Sequence, residues 1–154
     1  MPSDETARRL LDVVMLVMRT VAADMRKSPR PLAPPQMGIL MRIAAGPCTM
    51  SELARFQAVS LPTISKSVDM LVRRGWVERW IDKQDRRQTM ARLTSSGRKT
   101  LAHIKQRTER QVSRTLAPLT ISERAQLVST LNVLRRVLAA SGDDACALIA
   151  KQAS

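Results

Sequence analysis

The residues best suited to chemistry in this chain are three cations in one polar loop, Lys83, Arg86 and Arg87. Two short runs with alternating apolar residues flank the loop, Trp76–Ile81 and Gln88–Leu93. A period of two is typical of strands, so the pattern predicts a strand–loop–strand wing with a cationic tip. An arginine placed in a narrow DNA minor groove is attracted by the negative potential there. The tip therefore favours a double-stranded DNA ligand, although a charged hairpin tip without a ligand is the alternative.

An acidic residue is spaced to hold one of these cations. Asp85 and Arg87 are two residues apart, which on a strand places both side chains on the same face. We expect the Asp85 carboxylate to hold the Arg87 guanidinium before binding, with help from Asp82. Such a contact would reduce the side-chain entropy that a free arginine loses on insertion.

The elements before the wing have the pattern of a helix-turn-helix. Thr49 and Glu52 have capping-box spacing and predict a short helix over residues 51–56. After a turn, Ser60 caps a second helix that runs to Arg73. In a helix-turn-helix this second helix enters the major groove, with its N-terminal residues on the base edges.

The candidate DNA-binding residues share a predicted outward position on this helix or on the wing. They are Ser60, Leu61, Pro62, Thr63, Ser65, Lys66, Arg73, Lys83, Asp85, Arg86 and Arg87. Serine and threonine hydroxyls suit several bases, a lysine suits guanine or phosphate, and Leu61 or Pro62 can contact a thymine methyl. A surface helix with ordinary polar residues is the alternative.

The charge of the chain supports a polyanionic partner. The 154 residues include 26 Lys and Arg against 13 Asp and Glu, a formal net charge of +13. Such an excess favours nucleic acid or an anionic membrane surface. Because the cations cluster around the wing rather than along an amphipathic face, the membrane interpretation is the weaker one.

Several classes of protein are not supported by the sequence. No apolar run is long enough to span a membrane, and the polar, acidic start is unlike a secretory signal. Cys48 and Cys146 lie far apart and His103 is the single histidine, so no metal or cofactor is expected. No glycine-rich phosphate loop or paired nucleophile suggests an enzyme. We expect a protein of the reducing cytoplasm.

The remaining apolar patterns predict a mainly α fold with a small β-wing, a winged helix-turn-helix flanked by long N- and C-terminal dimerisation helices. The periodicity predicts further helices over 5–27, 34–45, 96–116 and 122–140. The first has apolar stripes on more than one face, which suggests burial against a partner subunit. On this basis residues 32–95 form the DNA-binding domain, and residues 5–30 and 96–142 form the helical region on either side of it.

The ordered set of motifs resembles the multiple antibiotic resistance regulator (MarR) family of winged helix-turn-helix transcriptional regulators. The resemblance is carried by residues 50–54 (MSELA), 59–66 (VSLPTISK), 71–79 (LVRRGWVER), 82–87 (DKQDRR) and 93–97 (LTSSG). It implies a homodimer whose dimerisation region consists of residues 5–30 and 96–142, which hold the first, fifth and sixth helices. The dimer would bind a near-palindromic operator, usually as a repressor, with half-sites about one DNA turn apart. It also implies that Arg87 enters the minor groove, braced by Asp85, while Arg86 contacts phosphate.

Two positions depart from the family pattern. Lys83 stands where the family often has proline, and Ala33 where it often has a capping serine or threonine.

Many members bind small anionic aromatic or phenolic compounds between the dimerisation helices and the DNA-binding lobe. Here that space would be lined by Met15, Met18, Met37, Met41 and His103, although core packing is the alternative for each methionine.

Two further alternatives remain open from the sequence. An architectural protein that coats DNA with little sequence preference would also carry a high positive charge. Thiol-based sensors of this family carry their reactive cysteine in the first helix, which here has none. A redox role for Cys48 or Cys146 therefore has little support, since neither has a visible activating partner.

Overall fold

The computed structural model describes residues 2–141, with side chains from Asp4 onward. Within that range it contains six helices and a three-stranded sheet, so the predicted mainly α fold with a β-wing is confirmed. The elements are α1 Pro2–Arg26, α2 Pro34–Ala44, β1 Cys48–Thr49, α3 Met50–Gln57, α4 Leu61–Arg73, β2 Val77–Ile81, β3 Thr89–Leu93, α5 Ser95–Thr115 and α6 Ile121–Ala139. Cys146 and the predicted domain end at Gly142 lie outside the described residues.

The helix starts lie within a few residues of the predicted positions because local side-chain caps define them. Thr49 and Glu52 form the expected capping box, with the Thr49 backbone N–H donating to Glu52 Oε2 at 2.7 Å. Thr120 and Glu123 repeat the motif at the start of α6. Ala33 has no capping side chain, but its backbone N–H donates to Gln36 Oε1 at 3.0 Å.

The core of the DNA-binding lobe lies between α2, α3, α4 and the sheet. Its fully buried side chains come from all four parts, namely Ile39, Leu40, Leu53, Ile64, Val68, Leu71 and Val77. The apolar spacing of α4 predicts an inner face of Ile64, Val68, Leu71 and Val72. The first three are buried, and Val72 is half-buried against the core.

The apolar spacing of α2 predicts an inner face of Met37, Leu40, Met41 and Ala44, and this prediction was partly wrong. Ile39 and Ile43 are buried together with Leu40, whereas Met37 and Met41 pack only at the core margin and Ala44 is exposed. Because apolar residues lie nearly all around this short helix, their periodicity does not select one face.

The sheet has the order β1-β3-β2 and is antiparallel throughout. In the predicted hairpin, Val77 pairs with Leu93 and Ile81 with Thr89. Strand β1 was not predicted, since two residues are too few to show a period. It pairs Cys48 with Ala91 and ties the residues just before α3 to the wing.

The start of α5 is packed closely against the end of the preceding lobe. The Thr94 hydroxyl accepts from the Gly97 backbone N–H at 2.9 Å and donates to the Gly75 carbonyl at 2.6 Å. A Cβ on Gly97 would lie 2.0 Å from the carbonyl oxygen of Trp76. The glycine in the 93–97 motif is therefore required by a close backbone approach.

The long helices leave large apolar surfaces uncovered in one chain. On α1, Leu11, Met15 and Leu16 are each more than 60% exposed. Helix α6 contributes no buried side chain at all. Among residues 2–141, no helix is long and apolar enough to cross a lipid bilayer.

Candidate nucleic-acid interface

The recognition helix α4 presents its N-terminal residues at the surface. Ser60, Leu61, Pro62, Thr63 and Lys66 are exposed, and Ser65 is half-buried. The Ser60 and Thr63 hydroxyls lie 2.9 Å apart, and the Thr63 backbone N–H donates to Ser60 Oγ at 3.4 Å. The predicted candidates on this helix therefore occupy one exposed end of the helix.

The turn that joins α3 to α4 fixes the angle at which α4 leaves the lobe. Ala58 has φ 52°, in the left-handed region, and is the one non-glycine residue with positive φ in the described part of the chain. The Val59 backbone N–H donates to the Ala54 carbonyl at 3.0 Å, which closes the turn. The turn is thus held by backbone hydrogen bonds despite the cost of a left-handed alanine.

The wing tip carries three cations whose charged groups are exposed. Four ion pairs form among residues 2–141, and none of them involves Lys83, Arg86 or Arg87. These three side chains are therefore available to a polyanion without first breaking an internal contact.

The predicted brace between Asp85 and the Arg87 guanidinium is corrected by the structure. Asp85 Oδ1 accepts from the Arg87 backbone N–H at 3.0 Å, and Asp85 Oδ2 accepts from the Gln88 side chain at 3.2 Å. Asp82 Oδ1 accepts in the same way from the Gln84 backbone N–H. In a tight loop the nearest donor to such a carboxylate is the backbone two residues on. The acids therefore shape the loop and leave the guanidinium free.

The two arginines on the strands of the wing, Arg79 and Arg92, form ion pairs with acidic neighbours. These contacts were not predicted from the sequence. Arg79 of β2 pairs with Asp69 of α4 at 2.5 Å, and so connects the wing to the recognition helix. Arg92 of β3 pairs with Glu78 at 2.5 Å and lies 5.0 Å above the Trp80 ring. Strand register brings Arg92 opposite Glu78, and that register could have been read from the hairpin pattern.

The two arginines that end α4 have different environments. Arg73 is exposed, as expected for a candidate phosphate contact. Arg74 donates to the Pro31 carbonyl at 3.0 Å and lies 5.1 Å above the Trp76 ring. Arg74 therefore has a structural role, since it holds the α1–α2 loop against the end of α4.

The predicted ligand pocket is not assembled within a single chain. Met37 and Met41 pack against the core, while Met15 and Met18 are exposed on α1. His103 lines a cavity of about 20 Å³ beside Met25, Leu32 and Arg107. A cavity that holds a benzene ring is nearer 150 Å³, so this space suits at most one water molecule.

Cys48 is poorly suited to redox chemistry. Its side chain is fully buried in strand β1. Burial raises the pKa of the Cys48 thiol from 9.0 to about 11, against a smaller opposing effect of the Arg42 charge. The thiolate, which is the reactive form, is therefore scarce at neutral pH.

Comparison with known proteins agrees with this geometry. A family model described as "MarR family" matches residues 31–88. The HTH-type transcriptional regulator YfiV of Bacillus subtilis is 28% identical over 68% of this chain. The multiple antibiotic resistance protein MarR of Escherichia coli is 34% identical over 46% of it. The matched segments span 66% and 49% of those two relatives.

Solved structures extend the likeness beyond the matched segment. Apo MarR from E. coli superposes with a TM-score of 0.72 at 26% identity, covering 83% of this chain and 94% of that one. FabT of Streptococcus pneumoniae, solved in complex with DNA, gives a TM-score of 0.67 at 24% identity, covering 88% and 96%. The latter shows a shared fold.

A helix-turn-helix followed by a β-wing, placed between long helices, defines a winged helix-turn-helix protein. Residues 31–88 match the MarR family of winged helix-turn-helix transcriptional regulators, and the fold over most of the chain is similar to that of E. coli MarR. This is a family of regulators rather than of enzymes, in agreement with the sequence analysis.

Proposed function

We propose that the protein is a homodimeric, sequence-specific DNA-binding regulator that acts in the cytoplasm as a repressor. The observation that carries the proposal is one surface with two complementary parts. It combines the exposed N-terminal end of α4 with a wing tip whose three cations make no ion pair with any other residue of the described range 2–141.

The two parts suit the two grooves of B-DNA. Helix α4 has 13 residues, and a helix of that length and diameter fits the major groove. The wing tip would then reach the adjacent minor groove with Arg87, while Lys83 and Arg86 contact phosphates. The Asp69–Arg79 ion pair supports this arrangement because it connects the two DNA-facing elements.

The uncovered helices support a dimer. The exposed apolar side chains of α1 and α6 would form a large patch on a monomer, and such patches usually mark an interface. An isologous dimer would present two recognition helices to an operator with matching two-fold symmetry. Sedimentation of the purified chain tests this part, and a monomer at micromolar concentration would contradict it.

Arg87→Ala is the most direct test of DNA binding through the wing. We expect it to weaken binding to a selected operator duplex, with unchanged circular dichroism and melting temperature. Arg135→Ala removes the same charge from an exposed position on α6, and it is the matched control once sedimentation shows that the variant has the same mass as the wild type. Equal operator affinity for wild type and Arg87→Ala at moderate salt would contradict the wing assignment.

The architectural alternative is separated from this proposal by competition, since both kinds of protein release counterions and depend on salt. A regulator should prefer the DNA upstream of its own coding region over random duplex of equal length. No preference would favour the architectural function. Repression itself is tested with a reporter whose promoter contains the bound site.

Control by a small anionic aromatic compound is the final part of the proposal. Because the five predicted lining residues are dispersed in one chain, such a site requires a second chain or a rearrangement of α1. Titration with a hydroxybenzoate, followed by operator release and by the melting temperature, tests it. No change in either quantity at millimolar ligand would remove this class of effector.

A further inference from the structure

The N-terminal end of α4 offers less hydrogen-bonding capacity to a ligand than its sequence suggests. The Ser60 and Thr63 hydroxyls bond to each other, and Ser60 Oγ also accepts from the Thr63 backbone N–H. Part of their capacity is therefore used to cap the helix. Pro62 has no backbone N–H to offer.

What remains exposed at this end is mainly apolar. Val59 is 40% exposed and Leu61 is 50% exposed, although both would be expected in a core by residue type. With its hydroxyl directed to Ser60, Thr63 adds a methyl group to the same exposed end. We define Val59, Leu61, Pro62 and the Thr63 methyl as the apolar tip of α4.

The cations near the apolar tip indicate which kind of partner it binds. Lys66 lies one helical turn further along α4, and the unpaired cations of the wing follow in the same lobe. An apolar protein surface would leave these cations without partners, whereas DNA offers phosphates beside them. The major groove also offers one apolar group, the 5-methyl group of thymine.

We propose that the apolar tip of α4 recognises thymine methyl groups, so that thymines define part of each operator half-site. This inference rests on the proposed function, since it names the chemical group that the same surface recognises. Leu61 is the principal specificity-determining residue, and the Thr63 methyl extends the contact. Lys66 then supplies the polar contact to guanine or phosphate.

The test begins with selection of bound sites from random duplexes by the wild-type protein. Each selected thymine is then replaced by uracil, which removes the 5-methyl group and keeps the hydrogen-bonding edge. Burial of one methyl group corresponds to about fourfold in affinity. We expect each contacted thymine to show a Kd ratio, uracil over thymine, of about that size.

Three variants locate the effect on the protein. Leu61→Ala should bring the ratio close to one. Thr63→Ser should lower it in part, because it removes only the methyl and keeps the hydroxyl that caps the helix. Ile81→Ala is the control, since this residue is 61% exposed on the wing and the minor groove carries no thymine methyl. Its ratio should equal that of the wild type.

Each outcome supports or overturns the inference. A wild-type Kd ratio, uracil over thymine, that is near one overturns the inference. The inference is also overturned if both Leu61→Ala and Thr63→Ser keep the raised ratio, or if Ile81→Ala abolishes it. Thr63→Ser remains informative even if Leu61→Ala lowers the melting temperature. Failure to select any sequence would contradict the proposed function itself, and so is distinguishable from failure of the inference.

Discussion

Replacing Gly97 with alanine tests the close approach between α5 and the DNA-binding lobe. The added Cβ would lie 2.0 Å from the Trp76 carbonyl oxygen, well inside van der Waals contact. Trp76 O already accepts from the Thr94 backbone N–H at 3.1 Å, so the backbone has little freedom to move away. Overpacking of this kind costs about 1–3 kcal/mol.

Two smaller effects act on the same variant. Displacement of α5 would weaken the Thr94 cap, worth about 1 kcal/mol, whereas alanine is the better helix former by about 1 kcal/mol. These nearly cancel, so we expect Gly97→Ala to lower the free energy of unfolding by about 1–3 kcal/mol. Urea unfolding followed by circular dichroism measures it, and Ser96→Ala, at the exposed neighbouring position, is the control.

The sign of the change decides this prediction. Without the close approach, Gly97→Ala would stabilise the protein through helix propensity alone. A midpoint equal to or above that of the wild type would therefore refute the reasoning.

Three further predictions concern the ion pair, the wing loop and the buried thiol. A double-mutant cycle of Asp69→Asn and Arg79→Gln should give a coupling of at most about 1 kcal/mol, decreasing with salt, because the pair is about one-third exposed; salt-independent coupling would contradict this. Asp85→Ala should weaken operator binding with little change in melting temperature, since it removes a loop hydrogen bond remote from the core, and full affinity would show that the loop needs no such support. In a Cys146→Ser background, Cys48 should react with a thiol reagent only on unfolding. Folding raises the pKa of the Cys48 thiol from 9.0 to about 11, so its contribution to the free energy of unfolding is complete below pH 9 and is lost as the pH rises to about 11. If Cys48→Ala leaves the dependence of stability on alkaline pH unchanged, this reasoning is refuted.

The sequence predicted those features that neighbouring residues define. Thr49, Ser60 and Thr120 act on backbone groups three residues away, so the helix starts are local and visible in the sequence. The wing hairpin is also local, because its two strands are joined by one short loop.

Features that depend on distant segments were not predicted. Strand β1 exists because Cys48 meets Ala91, and the Asp69–Arg79 ion pair requires a known angle between α4 and β2. The ligand pocket stays a prediction for the same reason, since periodicity places Met15 and Met37 on helices without saying how those helices meet. The hydrogen bond from the Arg87 backbone N–H to Asp85 Oδ1 depends on the geometry of the loop, which the sequence does not show.

The absence of buried side chains on α6 has a thermodynamic consequence. Most of the stability of a helix in a protein comes from tertiary packing, so the helical state of α6 must depend on what packs against it. If that packing comes from a second copy, mass action links the helix content of α6 to protein concentration. Dilution should then melt α6 before the lobe core, so that unfolding followed by heat capacity separates into two transitions, only the first of which moves with concentration.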